Sequence, residues 1–370
     1  MFSYFLMKLK RGSMQLGFIG LKFSGKSTLF ELLTNNHFEN AKIGISEVRR
    51  GQVIVTDDRI QNLSEIYEPK KTIYAKFDCI DVMGISSESK HNISGKYLES
   101  VRQVDGLVAV IQMFEGLNPD GSQFKIDPIN NIKLIEEELI FSDLMVLENR
   151  LEKVEKLKFR AAPIYDPKEH DILLKCKQIL DNEESLRTNK FSKEENKLMR
   201  GFQFLSQKEL VIVLNFDESH YSQREKYQLE IEKSFLNKAI TSVSALEEKE
   251  IQELDPEEQK EFMQEMGIEE PAIKQVIKTA YKGLGLISFF TVGKDEVRAW
   301  TIKNNSNAKE AAGAIHSDLE KGFIRAEVIN YNEFIKYNSI TKAKENGAVK
   351  IEGKNHIVND GDILNIRFNV

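Results

Sequence analysis

The sequence has 370 residues, which suggests two or three domains at roughly 150 residues per domain. Lys and Arg total 52 and Asp and Glu total 58; the resulting net charge of −6 excludes a protein that holds nucleic acid by bulk positive charge, although a local basic face stays open. No apolar run is long enough to span a bilayer and the 2 cysteines are too few for a disulfide framework, so we expect a cytoplasmic protein without a membrane partner.

Residues 1–13 form a short segment ahead of a second methionine. Met14 opens a more conventional start, because an apolar run follows it directly. We interpret residues 1–13 as an N-terminal extension or an over-called start, with a short targeting sequence as the alternative.

A phosphate-binding loop is predicted near the N-terminus. Leu16 to Ile19 is a buried strand by its apolar run, and the eight residues from Gly20 read G-L-K-F-S-G-K-S, which fits G-x-x-x-x-G-K-[ST]. A helical pattern follows, so the loop N–H groups and the helix N-terminus would bind phosphate, Lys26 would reach the β- and γ-phosphates and Ser27 would ligate Mg²⁺. The nucleotide-binding residues predicted here are Lys22, Phe23, Ser24, Gly25, Lys26, Ser27 and Thr28.

A metal-side element is predicted after a later strand. That strand ends at Asp81, and Gly84 completes the D-x-x-G pattern of P-loop switches. Asp81 would hold Mg²⁺ through water, and the Gly84 N–H would sense the γ-phosphate. An Asp that merely closes a strand is the alternative, but a position about 55 residues after the P-loop favours the switch.

A base-reading element is predicted after the apolar run Leu210 to Leu214. Guanine-specific switches carry N-K-x-D there, and this sequence has Asn215, Phe216, Asp217 and Glu218. Asn215 can meet the purine N7, but the longer Glu218 argues against strict guanine specificity; Asp217 is a competing carboxylate or a turn residue. The predicted base-side residues are Asn215, Phe216, Glu218, Ser242, Ser244 and Ala245.

A helical insertion separates these two elements. Apolar residues at a 3–4 spacing predict a long charged helix after Pro128, a break at Pro163 and a second helix through Cys176, which sits on the seam as a small core residue. Two such helices indicate an antiparallel coiled-coil arm, either a partner-binding projection or a structural hairpin.

The C-terminal part has a different character, with short strands and one helix that predict a small α+β domain. The chain is therefore predicted to be an α/β P-loop NTPase with an insertion and a separate C-terminal domain. The predicted boundaries are 1–13 for the extension, 14–127 and 209–285 for a discontinuous P-loop domain, 128–208 for the insertion and 286–370 for the C-terminal domain.

These elements together resemble the YchF family, also called Obg-like ATPases, from about Met14 to the last residue. The N-x-x-E pattern of Asn215 and Glu218 also fits this family. The resemblance implies a G domain with a coiled-coil arm, a C-terminal TGS domain of ubiquitin-like β-grasp fold, slow Mg²⁺-dependent hydrolysis of ATP in preference to GTP, and association with ribosomes or translation factors. The most specific motifs are Asp255–Glu258, Glu261–Gly267, Phe289–Gly293, Glu296–Ile302, Ala311–Ala326 and Phe368–Val370.

The departures from the family pattern lie around the phosphates. Lys22, Phe23 and Ser24 replace Pro-Asn-Val, and the lost Asn helps to hold a potassium ion in related switches. The switch I Thr that completes the Mg²⁺ shell aligns with Ile45, and the glycine-rich switch II and the histidine expected after Phe114-Glu115 are absent.

Groups that bind the ground state therefore remain while groups tuned to the transition state are reduced, and only the latter accelerate chemistry. We expect a monomer that binds ATP or GTP and hydrolyses slowly, with His91 as a substitute base or a plain loop histidine. The alternatives are a nucleotide-dependent adaptor without significant hydrolysis and a GTP-binding protein.

Overall fold

The computed structural model describes residues 14–43, 46–82, 98, 100–117, 123–235, 238–265 and 270–369. The chain divides into two compact units. The P-loop unit comprises Gln15–Gly51 and Cys79–Thr279, and the C-terminal unit comprises Met14, Gln52–Asp78 and Ala280–Val370. The sequence did not predict that residues 52–78 belong with the C-terminal residues; the predicted domain boundaries stay predictions.

The strands and helices are numbered in chain order. The strands are β1 (Gln15–Gly20), β2 (Phe38–Ile43), β3 (Ser46–Val55), β4 (Lys71–Ile73), β5 (Ala75–Val82), β6 (Gly106–Met113), β7 (Gly116–Leu117), β8 (Gln123–Phe124), β9 (Leu210–Phe216), β10 (Ala239–Val243), β11 (Leu286–Thr291), β12 (Glu296–Lys303), β13 (Phe323–Asn330), β14 (Lys350–Glu352) and β15 (Asp362–Phe368). The α-helices are α1 (Lys26–Leu33), α2 (Asp58–Tyr67), α3 (Pro128–Phe159), α4 (Pro167–Asp181), α5 (Lys193–Met199), α6 (Glu218–Tyr221), α7 (Arg224–Ser234), α8 (Ala245–Glu253), α9 (Pro256–Glu265), α10 (Ala272–Gly283), α11 (Ala308–Ile315), α12 (Ser317–Lys321), α13 (Tyr331–Phe334) and α14 (Ile340–Glu345).

A seven-stranded sheet carries the P-loop, in the order β10-β9-β6-β1-β5-β3-β2. β1, β6, β9 and β10 are paired in parallel, and β2 and β3 form an antiparallel pair. Every residue of β6 and β9 is buried, which explains their continuous apolar runs, since parallel strands are covered on both faces. The carboxyl ends of these parallel strands meet at one edge, where α/β sheets place ligand sites.

The insertion consists chiefly of α3 and α4, which pack on each other. Asp127 and Asp166 cap the two helices through their side chains, and a proline occupies the first position of each, where its missing N–H costs nothing. Cys176 is fully buried in the shared apolar cluster, and burial raises the pKa of its thiol to about 12. The prediction that Cys176 is a core residue is confirmed.

A buried ion pair between Asp143 on α3 and Arg102 holds this helix against the P-loop domain segments next to it. Asp143 is fully buried, and its Oδ1 accepts from Arg102 Nη1 at 2.8 Å and from the backbone N–H of Leu205 at 2.9 Å. Its Oδ2 accepts from the N–H of Ser206 at 2.7 Å. One carboxylate therefore joins α3, the residues before β6 and the segment that returns to β9.

The C-terminal unit contains a six-stranded sheet in the order β14-β13-β15-β11-β12-β4. Its edge strand β4 comes from the early segment and pairs in parallel with β12. Helix α2 from the same segment buries Ile60 and Leu63 completely, and its Arg59 Nη1 donates to Asp360 Oδ2 at 2.7 Å. These contacts explain why residues 52–78 group with the C-terminal residues.

A buried carboxylate connects β13, β15 and α14 in the C-terminal unit. Glu327 on β13 has a side chain that is only 5% exposed, and its Oε2 accepts from Lys344 Nζ and from Asn365 Nδ2, each at 2.9 Å. Arg367 forms an ion pair with Oε1. The pKa of Glu327 is lowered to about 2, chiefly by the hydrogen bond from Lys344 and further by those from Asn365 and Arg367. Burial opposes this shift.

Replacement of this carboxylate by an amide is expected to weaken the C-terminal unit in a pH-dependent way. The folded-state pKa lies below the ordinary value of 4.5, so the stabilisation is complete above 4.5 and is lost as the pH falls toward about 2. Glu327→Gln should lower the free energy of unfolding by roughly 1–2 kcal/mol at pH 7, since solvent reaches Lys344 and Arg367. Urea denaturation followed by the fluorescence of Trp300, the single tryptophan, in β12 measures this unit. An equal difference at pH 7 and pH 3 would contradict the assignment.

Within the described residues, no helix is both long enough and apolar enough to cross a membrane.

Candidate functional site

The P-loop follows β1 and leads into α1, as predicted. Gly25 has a φ of +78°, a left-handed conformation that favours glycine, and it directly precedes the first residue of α1. Phe23 also has a positive φ, +65°, which is strained for a bulky residue, and its ring is about half exposed. Lys22 is exposed and Thr28 is half-buried. The loop backbone thus adopts the sharp turn that a phosphate-binding loop needs.

The lysine, serine and aspartate predicted for phosphate and metal lie together. Lys26 is buried, and its ammonium forms an ion pair with Asp81 Oδ1 and donates to the carbonyl of Val82. Ser27 Oγ donates to Asp81 Oδ2 at 3.4 Å. Burial lowers the pKa of Lys26 despite the opposing charge of Asp81, and the charge of Arg49 lowers it further. These groups are far apart in sequence but lie close together because β1 and β5 are neighbours in the sheet.

The donor set of this cluster suits a hard divalent cation. A hydroxyl and a carboxylate are oxygen ligands of the kind that Mg²⁺ takes, usually together with waters and phosphate oxygens. No group of three or more His, Cys, Asp and Glu side chains placed to hold a metal ion occurs in the described part of the chain. Ser27 and Asp81 would therefore hold Mg²⁺ only together with a nucleotide.

Arg49 on β3 joins the same cluster, and the sequence did not predict this. Its Nε donates to Asp81 Oδ2 at 3.0 Å, its Nη2 also pairs with that oxygen, and its Nη1 donates to Glu31 Oε1 at 2.6 Å. Burial alone would lower the pKa of Arg49, but the hydrogen bonds and charges of Asp81 and Glu31 raise it. The available signal was that the switch I pattern of the resembled family, T-I-E-P-N-x-G, has asparagine where this sequence has Arg49.

Asn215 connects the P-loop to the loop after β10. Its Nδ2 donates to the carbonyl of Ser24 at 2.9 Å, and its Oδ1 accepts from the N–H of Ala245 at 3.0 Å. An added Cβ on Gly25 would lie 2.0 Å from Asn215 Nδ2, so the close approach itself requires glycine. The structure thus brings together three predicted site segments, and a contact of Asn215 with the purine N7 stays a prediction.

The residues that follow Asn215 divide between the core and the surface. Phe216 was predicted among the nucleotide-contacting residues, and that contact stays a prediction. Its side chain is 2% exposed and packs against Tyr221 and Tyr227, because it continues the buried strand β9. Asp217 caps α6, its Oδ1 accepting from the N–H of His220 at 3.1 Å, which fits the turn alternative. Glu218 is exposed on the first turn of α6.

A second carboxylate lies near Glu218 on the base side. Burial raises the pKa of Glu247 on α8, and the negative charge of Glu218 raises it further. Ser242 and Ser244 are buried at the end of β10 and the start of α8. The Oγ atoms of Ser24 and Ser242 are buried without a hydrogen-bond partner within the described residues. Polar groups therefore line this edge of the sheet beside Asn215.

Two predicted residues, Gly84 and His91, lie outside the described residues, and so does Ile45 of the switch I comparison. The structure therefore adds nothing to their predicted roles.

Comparisons with known proteins identify relatives over nearly the whole chain. The family model YchF-GTPase_C, described as a protein of unknown function (DUF933), matches residues 286–369. The ribosome-binding ATPase YchF of Bacillus subtilis (strain 168) is 37% identical, with 96% of this chain and 99% of that protein covered. Its namesake in Escherichia coli O157:H7 is 36% identical over the same shares. The solved structure of the Schizosaccharomyces pombe YchF GTPase matches with a TM-score of 0.80 at 26% identity, covering 96% of this chain and 98% of that one. With this identity over nearly its whole length, the chain belongs to the YchF family.

Proposed function

We propose that the chain is a nucleotide-dependent P-loop switch that binds ATP in preference to GTP, hydrolyses it slowly and associates with the ribosome in the cytoplasm. The observation that carries this proposal is the assembly of Lys26, Ser27, Asp81 and Asn215 at one edge of the seven-stranded sheet. Relatives that bear the name ribosome-binding ATPase support the partner and the nucleotide.

The preference for ATP has a chemical basis on the base side of the site. The carboxyl groups of Glu218 and Glu247 offer hydrogen-bond acceptors on this side. The 6-amino group of adenine can donate to such a carboxylate. Guanine recognition relies on the shorter carboxylate of the N-K-x-D pattern, which accepts from the guanine N1–H and N2–H groups, and the longer Glu218 replaces that carboxylate here. Asn215 would serve either purine through N7.

Ser27 and Asp81 are the residues that would hold Mg²⁺, which would supply charge neutralisation at the phosphates during hydrolysis. Lys26 would contact the phosphates, and the turn at Gly25 would let backbone N–H groups approach them. Slow hydrolysis follows from the sequence departures around switch I and switch II, because ground-state binding alone does not raise the chemical rate.

The insertion and the C-terminal unit are proposed as docking elements. We interpret residues 128–208 as an antiparallel coiled-coil arm and the C-terminal unit as a TGS domain of β-grasp type. At the end of α3 and in the turn to α4, Phe159 is 92% exposed and Ile164 is 76% exposed, beside the exposed cations Lys158 and Arg160. Exposed apolar side chains among cations suit a partner that combines protein and RNA.

Phosphate release in a single turnover with Mg-ATP tests the enzyme, with Lys26→Ala as the control. Loss of the ammonium that faces the phosphates is expected to weaken ATP binding by roughly 10- to 100-fold and to abolish release above background. A parent rate equal to that of Lys26→Ala, with ATP still bound by the parent, would establish the adaptor alternative. Displacement of bound ATP by an equal or lower concentration of GTP would establish the GTP-binding alternative.

A further inference from the structure

Arg49 occupies the metal side of the predicted phosphate site. Its guanidinium contacts Asp81 through two nitrogens and Glu31 through the third, so each nitrogen has a carboxylate partner. The guanidinium also lies 5.2 Å from the ring centre of Phe30 and 5.0 Å from that of Phe38. This arrangement fixes the orientation of Arg49, since a planar fork matched to carboxylates and aromatic faces has little rotational freedom left.

The contacts of Arg49 use the atoms that a Mg²⁺ ion would need. Asp81 is 5% exposed; Lys26 holds its Oδ1, while Arg49 holds its Oδ2 together with Ser27 Oγ. The two cations, Lys26 and Arg49, balance the charges of the two carboxylates, Asp81 and Glu31. A divalent cation beside Asp81 would therefore compete with a buried hydrogen-bonded ion pair and would face the repulsion of Arg49.

We propose that Arg49 takes the charge-neutralising place at Asp81 that Mg²⁺ has in other P-loop switches, so that this chain binds nucleoside triphosphate with little dependence on Mg²⁺. This inference rests on the proposed nucleotide binding. Arg49 acts as a positioning and specificity residue: it holds the metal-side carboxylate and weakens the coupling between the metal and the nucleotide. The ligand is a purine nucleoside triphosphate. The proposal differs from ordinary P-loop binding in that the metal-free triphosphate also binds.

The test is the affinity of the full chain for ATPγS, measured by calorimetry with excess MgCl₂ and again with excess EDTA. The ratio of the two dissociation constants reports the metal–nucleotide coupling. In the parent the ratio is expected to stay within about threefold, and in Arg49→Asn it should rise by about tenfold or more in favour of Mg²⁺. A parent ratio of about 100-fold, or an unchanged ratio in Arg49→Asn, would overturn the proposal.

Matched variants separate a site effect from a general loss of structure. Arg50→Asn removes the next arginine of β3 and is expected to leave the ratio unchanged, since Arg50 points to the other side of the strand. Glu31→Gln keeps Arg49 but removes one of its anchors, so it should raise the ratio in the same direction by a smaller factor. This second variant keeps the test decisive if Arg49→Asn does not fold, which far-ultraviolet circular dichroism detects.

Failure of the inference and failure of the proposed function give different results. Absence of ATPγS binding by the folded parent in both buffers would refute nucleotide binding itself, and the inference with it. Tight binding that depends strongly on Mg²⁺ in every variant would leave the proposed function intact and refute the role of Arg49.

Discussion

Gly25→Ala is expected to abolish ATP binding and to lower the free energy of unfolding by roughly 2–4 kcal/mol. Two separate costs combine in this substitution. The φ of +78° is unfavourable for any residue with a Cβ, and that Cβ would lie 2.0 Å from Asn215 Nδ2. Relief of the clash requires Asn215 to release the Ser24 carbonyl, which would move the P-loop itself. Urea denaturation and an ATP titration measure the two effects.

Two other glycines separate these costs. Gly285 has a φ of +64° with open space around an added Cβ, so Gly285→Ala should cost only the backbone term of about 1 kcal/mol. Gly201 has neither a positive φ nor a neighbour within reach, so Gly201→Ala should be close to neutral. Equal losses for Gly25→Ala and Gly285→Ala would show that the contact with Asn215 does not matter.

Asp143→Asn is expected to cost roughly 3–5 kcal/mol, the largest stability effect proposed for this chain. The amide is almost isosteric, so the cost is electrostatic: the buried guanidinium of Arg102 loses the negative charge of Asp143, which lies 2.8 Å away. One side of the amide would also present a donor to a backbone N–H, either that of Leu205 or that of Ser206. Thermal and urea unfolding followed by circular dichroism at the helical band measure the change.

Glu169→Gln is the matched control for Asp143→Asn. Glu169 pairs with Arg150 between α3 and α4 at 2.7 and 2.9 Å, but the arginine is 41% exposed. An exposed pair contributes less than about 1 kcal/mol even with good geometry. Similar losses in the two variants would mean that burial does not set the strength of the Asp143 interaction.

The sequence predicted the parts of the site that follow from local pattern. A strand, a glycine loop and a helix are read from neighbouring residues, and the structure brings Lys26, Ser27 and Asp81 together accordingly. The seam of α3 was also readable, because a 3–4 spacing of apolar residues indicates a buried face; Ile132, Ile135 and Leu139 are buried as expected.

The features that the sequence did not predict depend on contacts between distant residues, or on burial in a strand where a motif suggested a binding role. Arg49 meets Asp81 only because two strands lie side by side in the sheet. Phe216 was assigned by its place in a base-reading pattern, but the apolar environment of β9 decided its position instead. The pairing of β4 with β12 has no local signal at all, because neither strand indicates its partner.

The early segment of the C-terminal unit has a consequence for the order in which the protein folds during synthesis. Lys70 and Asp295, which form an ion pair beside the β4–β12 pairing, are 225 residues apart in the chain. At about 5–20 residues per second, translation takes roughly 10–45 s to deliver the later partner after the earlier one. Throughout that interval Ile60 and Leu63 of α2 lack β12, the later strand against which their helix packs. The nascent chain therefore carries α2 with its apolar face uncovered for most of its own synthesis.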